Sequence, residues 1–303
     1  MWIFALPIIS GVFEAANRNI MKLSKAHTLV LLSLGYLFTV PFYVVWLWVE
    51  GIPKIGPNFW WAVFFHVPLW SIAMILTIEA HRRSPFILTA PYLALTPAFL
   101  LVSSPLMGGG YPTRLGVLGV LFVTFGVYFL NVKEGQNGIL DPFIQIGKEK
   151  GSLFMLFVAL IGAVVTNLDF IALKNANGPF YVLIDGMLMA LVSVILILIY
   201  WQRGKIETSE FSIKSFWPFF LFGFFLFGAV FFHMTALKFI QNVPYEIAGK
   251  RTGVILATVG SGLILASLKR FQGKFKEEKE QLGYRLFGVG LIVAGMLIII
   301  LRG

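Results

Sequence analysis

Residues 243–266 read VPYEIAGKRTGVILATVGSGLILA, an apolar stretch in which two adjacent cations, Lys250 and Arg251, stand between small residues. About 20 apolar residues let a helix cross the hydrocarbon core of a bilayer. A charged side chain well inside such a helix is expensive unless it faces a cavity or a partner. The stretch therefore predicts a membrane-spanning helix whose cations serve a binding site or an ion pair.

The rest of the chain has the same character. Of 303 residues, 58% are hydrophobic and 13% are charged, which leaves too much apolar surface for a water-soluble globule. We predict an all-α membrane protein with ten transmembrane helices. The apolar segments are roughly 2–22, 28–48, 58–79, 84–106, 114–132, 152–173, 179–200, 215–234, 243–267 and 286–301. The first segment lacks a basic leader and a cleavage site, which favours a retained helix over a signal peptide.

The net charge of +10 is explained by membrane topology rather than by nucleic-acid binding. About sixteen Lys and Arg residues fall in the odd-numbered connections and about five in the even-numbered connections and the C-terminus. The positive-inside rule then makes the odd connections cytoplasmic and puts both termini on the other face. The longest of these connections in the second half, 271–285, reads as a short amphipathic surface helix.

An internal repeat organises the ten segments. Three pairs of similar stretches occur in the same order: 17–22 with 169–174, 84–97 with 241–253, and 114–119 with 285–290. The chain therefore divides into a first five-helix repeat over 1–132, a linker over 133–151 and a second five-helix repeat over 152–303. Because five is odd, the second copy enters the bilayer inverted, and inverted repeats are typical of secondary transporters.

These stretches also carry a family resemblance. The pattern SPFILTAPYLALTPAFLL followed by GGGYPTRLGVLGV, repeated as VPYEIAGKRTGVILATVG followed by YRLFGVGLIV, resembles the ten-span, EamA-type branch of the drug/metabolite transporter superfamily. The resemblance implies alternating access around a central cavity. Residues 108–111, Gly-Gly-Gly-Tyr, depart from the family, which usually has an acidic residue after span four. The Lys250-Arg251 pair resembles the pair with which sugar-phosphate carriers of the superfamily hold phosphate.

Span nine offers its own candidate for charge neutralisation. Glu246 precedes Lys250 by four residues, a spacing that puts both side chains on one helix face, so a local ion pair is one interpretation. Arg251 then remains to receive substrate, because its planar guanidinium matches the oxygens of a carboxylate or phosphate. An anionic ligand is the predicted reason for keeping both cations.

Glu14 and Arg18 repeat the acidic-then-basic spacing on span one. They form either a second local ion pair or, if Arg18 reaches the central cavity, a third cationic contribution to the substrate site. Asp169, which aligns with Asn17 across the repeat, either carries a coupling proton or has a structural role near the end of span six. His66 and His233 stand among apolar residues and are either hydrogen-bonded neutral rings or proton carriers.

Tyr92 and Tyr245 follow the prolines that open spans four and nine. Their hydroxyl groups are candidates to line the substrate site, although packing with one hydrogen bond is the commoner role of such tyrosines.

The sequence gives no sign of an enzyme, a cofactor or a metal. HExxH, GxxxxGK[ST] and GxSxG motifs are missing, and a chain without cysteine has neither disulfides nor thiolate metal ligands. We predict a secondary transporter for a small anionic metabolite that bears phosphate or carboxylate. One alternative is a proton-coupled exporter of amino acids or other metabolites, in which Glu14, Asp169 or one of the histidines His66 and His233 carries the proton. Another is a flippase for, or an enzyme on, a phosphorylated lipid carrier.

Short connections favour a multi-pass protein of a prokaryotic inner membrane, where the lipid bilayer is the main partner. Two fused halves complete one site, so a monomer suffices.

Overall fold

The computed structural model describes residues 2–24, 27–83, 92–93, 95–131, 150–204, 217–267 and 282–303. Its regular structure in these ranges is helical, with a short 3-10 turn at Trp2–Phe4 and ten α-helices. The first five helices are α1 (Ala5–Leu23), α2 (Thr28–Glu50), α3 (Phe59–Arg83), α4 (Thr96–Met107) and α5 (Arg114–Asn131). The second five are α6 (Lys150–Asn175), α7 (Gly178–Gln202), α8 (Trp217–Ile240), α9 (Val243–Ser267) and α10 (Leu282–Arg302).

The all-α class is confirmed. Five helices, α2, α3, α6, α7 and α8, are long and apolar enough to cross a membrane, and four further apolar helical stretches are shorter. Large apolar side chains face outward, among them Trp48 and Leu106, each more than four-fifths exposed. Such a surface is compatible with a membrane protein, because lipid tails solvate it and water does not.

Several predicted segments lie wholly or mostly outside the described residues. They are the start of the fourth segment at 84–91, the linker except for 150–151, which open α6, and the surface segment 271–285 except for its last four residues, which begin α10.

Helix packing links the two halves of the chain throughout. The most extensive contacts join α5 to α10, α3 to α6, α1 to α9, α2 to α7 and α1 to α8. The helix α4 packs on α6 and, less extensively, on α9 and α5. Only the interlocked halves bury the core, since most of the large interfaces pair one helix of residues 5–131 with one of residues 150–302.

Glycines bring α1 and α9 into close contact. A Cβ atom on Gly253 would overlap the carbonyl oxygen of Ile8, and one on Gly11 would overlap that of Lys250. Small residues at such a crossing let the two backbones touch, as is common between membrane helices. The crossing fixes Lys250 and Arg251 of α9 beside α1.

A tight corner between α6 and α7 positions a second set of polar groups. The side chain of Asn177 accepts a hydrogen bond from the Phe180 amide and caps α7. The backbone oxygen of Asn175 accepts from the Gly56 amide at 2.7 Å, which ties the end of α6 to the segment before α3. The first turns of α7 therefore lie beside the C-terminal part of α6 and the N-terminal half of α3.

Candidate functional site

Polar side chains from five helices meet inside the bundle. His66 of α3 lies between two carboxylates: its Nε2 is 3.1 Å from Oδ1 of Asp169 on α6, and its Nδ1 is 2.7 Å from Oδ1 of Asp185 on α7. The contact with Asp185 is close but poorly aligned for a hydrogen bond. His66 and Asp169 are buried, and Asp185 is nearly so.

The same aspartate also faces the second histidine. Nε2 of His233 on α8 is 3.6 Å from Oδ2 of Asp169, and its Nδ1 is 2.8 Å from Oε1 of Glu246 on α9. Glu246 is completely buried, and its Oε2 has no hydrogen-bond partner among the described residues. Asp185, His66, Asp169, His233 and Glu246 thus form one continuous series of contacts, which we call the carboxylate–histidine chain.

Neutral hydroxyl groups complete the surroundings of Asp169. Tyr181 of α7 donates a hydrogen bond to its Oδ1, and the ring of Tyr181 packs edge-on against His66 with centroids 5.9 Å apart. Tyr181 is buried. Each oxygen of Asp169 therefore has a polar neighbour, as a buried carboxylate requires.

A separate ion-pair group lies where α1 crosses α9. Nζ of Lys250 is 3.4 Å from Oε2 of Glu14, and Nη1 of Arg251 is 3.3 Å from Oε1 of the same carboxylate. The side chains of Lys250, Arg251 and Glu14 are 17%, 15% and 22% exposed. Two cations thus share Glu14, and all three side chains keep limited access to solvent.

The expected local pair on α9 does not form. Glu246 contacts His233 and not Lys250, whose described carboxylate partner is Glu14. Helical spacing permits the local pair, but α1 and α8 bring better-placed partners to each side chain. Glu14 likewise contacts α9, while the side chain of Arg18, its predicted local partner, lies outside the described residues.

The two tyrosines lie apart from both groups of charges. The hydroxyl of Tyr245 accepts a hydrogen bond from the Thr113 amide at 2.8 Å, at the start of α5. The hydroxyl packs closely against α5, because a Cβ atom on Gly116 would overlap it. Tyr92 is buried in an apolar cluster and hydrogen-bonded to Ser152 of α6. In this structure both side chains have packing and hydrogen-bond contacts, and their role as substrate contacts stays a prediction.

Sequence reasoning treated the two histidines separately and overlooked Asp185. The signal for Asp185 was available, since it is the only charged residue of α7. Asp169 was placed near the end of its span, whereas it lies six residues before the end of α6 and is buried. Both histidines and Asp169 are brought together only by the packing of α3, α6 and α8.

Two clefts lie away from these charges. One of about 500 Å³ lies between α2 and α8 and is lined mainly by apolar residues such as Phe42 and Trp46. Another of about 460 Å³ at the end of the bundle is lined by Tyr111, Asn242 and Tyr245, among others. Neither includes Lys250, and the carboxylate–histidine chain is enclosed by protein in this conformation.

The chemistry available to the site is charge recognition and proton binding. Within the described ranges, no group of three or more His, Asp and Glu side chains has the arrangement of a metal site. The imidazole rings can each take a second proton, and Lys250 with Arg251 can hold an anion.

Comparison with known proteins gives the fold alone. No family model and no curated protein matches the chain. Solved structures do match, in 29 chains. One of them, a crystal structure of a protein 15% identical to this chain, has a TM-score of 0.71 and aligns over 98% of this chain and 94% of its own. The ten-helix arrangement is thus shared with a protein of very different sequence.

Proposed function

We propose that the protein is a secondary active transporter that spans the membrane ten times and carries a small organic anion. The observation that carries the proposal is the sharing of Glu14 by Lys250 and Arg251, which leaves one positive charge in excess among these three side chains. A partly enclosed cation pair with limited solvent access suits a phosphate or carboxylate group of a ligand.

The pairing of the helices supports two related halves. If each helix is exchanged for its counterpart in the other half (α1 for α6, α2 for α7 and so on), the contact of α3 with α6 becomes that of α8 with α1. The contact of α1 with α9 becomes that of α6 with α4. The contacts of α2 with α7 and of α5 with α10 map onto themselves. Such a pattern is expected from a two-fold relation between repeats 1–132 and 152–303, joined by the linker 133–151.

This arrangement is compatible with transport by alternating access. The ion-pair group joins a helix of the first half to one of the second, so rocking of the halves would expose it first to one side and then to the other. A single chain contains both halves and would work as a monomer in a prokaryotic inner membrane.

The proposal is tested by ligand-dependent thermal stability of the purified protein. A panel of sugar phosphates, polyprenyl phosphates, dicarboxylates, amino acids and cationic drugs is compared on the wild type, Lys250→Gln and Arg251→Gln. A ligand at 100 times its Kd stabilises the folded state by about 2.7 kcal/mol. We expect stabilisation by phosphate or carboxylate compounds that both variants lose.

Lys238→Gln is the matched control, because Lys238 is 56% exposed and pairs with Glu50 at the surface. It should bind the panel like the wild type. Stabilisation by neutral or cationic compounds alone, unchanged in Arg251→Gln, contradicts an anion site on α9.

A further inference from the structure

The carboxylate–histidine chain has an unbalanced charge. Asp185, Asp169 and Glu246 contribute three negative charges when ionised, and the two histidines contribute none when neutral. The neighbouring group of Glu14, Lys250 and Arg251 offsets one of these three. Two negative charges remain, in a place where unpaired charge is strongly disfavoured.

Other groups that face the chain do not supply the balance. Besides the members named above, the titratable side chains around it in the described part of the protein are Tyr181 of α7 and two tyrosines of α2. Tyr36 interacts electrostatically with both aspartates, and Tyr43 interacts with Asp185. All three carry neutral hydroxyl groups. The described residues of α4 contribute no charge, and Ser103 contacts Asn167 of α6.

Two protons would neutralise these eight side chains taken together, and the two imidazole rings are placed to take them. Each ring has both nitrogens within 3.6 Å of carboxylate oxygens. An imidazolium donates at both nitrogens, whereas a neutral ring donates at one and would direct a lone pair at a carboxylate on the other side. Carboxylate oxygens on both sides of each ring therefore favour the charged form of both rings electrostatically. The contact of His66 with Asp185 is poorly aligned for a hydrogen bond, and that of His233 with Asp169 is longer than one.

We propose that the carboxylate–histidine chain is a two-proton binding site that couples transport to the proton gradient. Each uptake forms one N–H bond on an imidazole ring from a proton of water, and each release breaks that bond and returns the proton to water. The coupling to transport rests on the proposed function. Proton binding itself does not, since the protons are bound without any substrate.

The carboxylate–histidine chain and the anion site are connected through α9. Glu246 and Lys250 are one helical turn apart on α9, and the positive charge of Lys250 acts on His233. An anion that binds Lys250 reduces this repulsion and so favours a proton on His233. Anion binding and proton binding should therefore strengthen each other, which is the linkage that symport requires.

Nitrogen NMR of histidine rings tests the proposal directly. The chain has only four histidines, His27, His66, His81 and His233, so protein labelled with ¹⁵N-histidine in vesicles of phosphatidylethanolamine and phosphatidylglycerol gives few signals. Spectra are recorded from pH 5 to pH 10 and assigned with single His→Gln variants. We expect both His66 and His233 to be imidazolium at pH 6, and at least one to lose its proton by pH 10.

Asp169→Asn removes the negative charge between the rings and should reduce the number of charged rings at pH 6 from two to one or none. His27 is the internal control, because its ring accepts a hydrogen bond from the Leu29 amide and is not a member of the carboxylate–histidine chain. If Asp169→Asn does not fold, Asp185→Asn and Glu246→Gln take its place, because each removes one negative charge from one end of the carboxylate–histidine chain.

Two results overturn the proposal: neutral rings at both positions at pH 6, or charged rings that no variant alters and no pH discharges. The anion panel and the NMR titration are independent measurements. If no anion stabilises the protein but the NMR titration finds charged rings that lose their protons, the anion site is refuted and the proton site is supported. The reverse outcome refutes the proton site alone.

Discussion

The Nδ1 atom of His233 lies 2.8 Å from Oε1 of Glu246, and this contact joins α8 to α9 inside the bundle. The glutamate is fully buried and the histidine nearly so. Because neither side chain can turn to water, each depends on the other for its polar contacts.

A double-mutant cycle measures this dependence. His233→Gln and Glu246→Gln should each lower the unfolding free energy by about 1.5–3 kcal/mol, since each removes a charge-assisted hydrogen bond. The double variant should lose less than the sum, with a coupling energy of about 1–3 kcal/mol. Thermal unfolding in detergent gives the three values, and strictly additive losses would show that the contact has no energetic weight.

Removal of the carboxylate from the ion-pair group should strengthen anion binding. Glu14→Gln leaves Lys250 and Arg251 without the negative charge that they share. We expect about tenfold tighter binding of a divalent anion such as sulfate, which corresponds to about 1.4 kcal/mol. Isothermal titration compares the variant with the wild type and with Glu50→Gln at the surface, and weaker binding in Glu14→Gln would contradict a competing role for this carboxylate.

Proton coupling makes a separate prediction for Asp169→Asn. In proteoliposomes, a pH gradient should drive uptake of the stabilising anion by the wild type but not by the variant. Exchange of labelled for unlabelled anion without a gradient should persist, because the proposed anion ligands Lys250 and Arg251 are unchanged in this variant. Equal gradient-driven uptake by the wild type and the variant would show that Asp169 has no role in proton coupling.

The crossing of α1 and α9 should tolerate no added carbon. Gly253→Ala places a methyl group against the carbonyl of Ile8, and the forced shift should destabilise the protein by about 1–3 kcal/mol. Gly290→Ala is the matched control, because a Cβ atom there meets open space. The melting temperatures of both variants in the same detergent check this, and equal values would disprove the tight crossing.

A clash with both the hydroxyl group and the ring of a tyrosine should be reduced in part by deleting the hydroxyl group. Gly116→Ala directs its methyl group at the hydroxyl and the adjoining ring carbons of Tyr245 and should destabilise the protein by about 1–3 kcal/mol. Tyr245→Phe alone removes the acceptor of the Thr113 amide and should cost about 1 kcal/mol. Thermal unfolding should find Gly116→Ala with Tyr245→Phe more stable than Gly116→Ala alone.

Composition and apolar length were enough to predict the all-α class, because a helix that buries its backbone groups in lipid needs a long apolar stretch whatever its neighbours are. The helix starts at Arg114 and Val243 were also predicted. The charges within the helices could be identified for the same reason, since each interrupts an apolar stretch. Asp185 was overlooked although it carries this signal.

The partners of those charges were decided by tertiary structure alone. Spacing along α9 makes Lys250 a neighbour of Glu246, but the glycine crossing brings Glu14 of α1 to Lys250, and α8 brings His233 to Glu246. Likewise, nothing local relates His66 to His233, which meet at Asp169 through three separate helices. The sequence shows which buried charged groups need a partner. Which partner each group has depends on how closely two helix faces approach, and that distance is set by the packing of residues far apart in the chain.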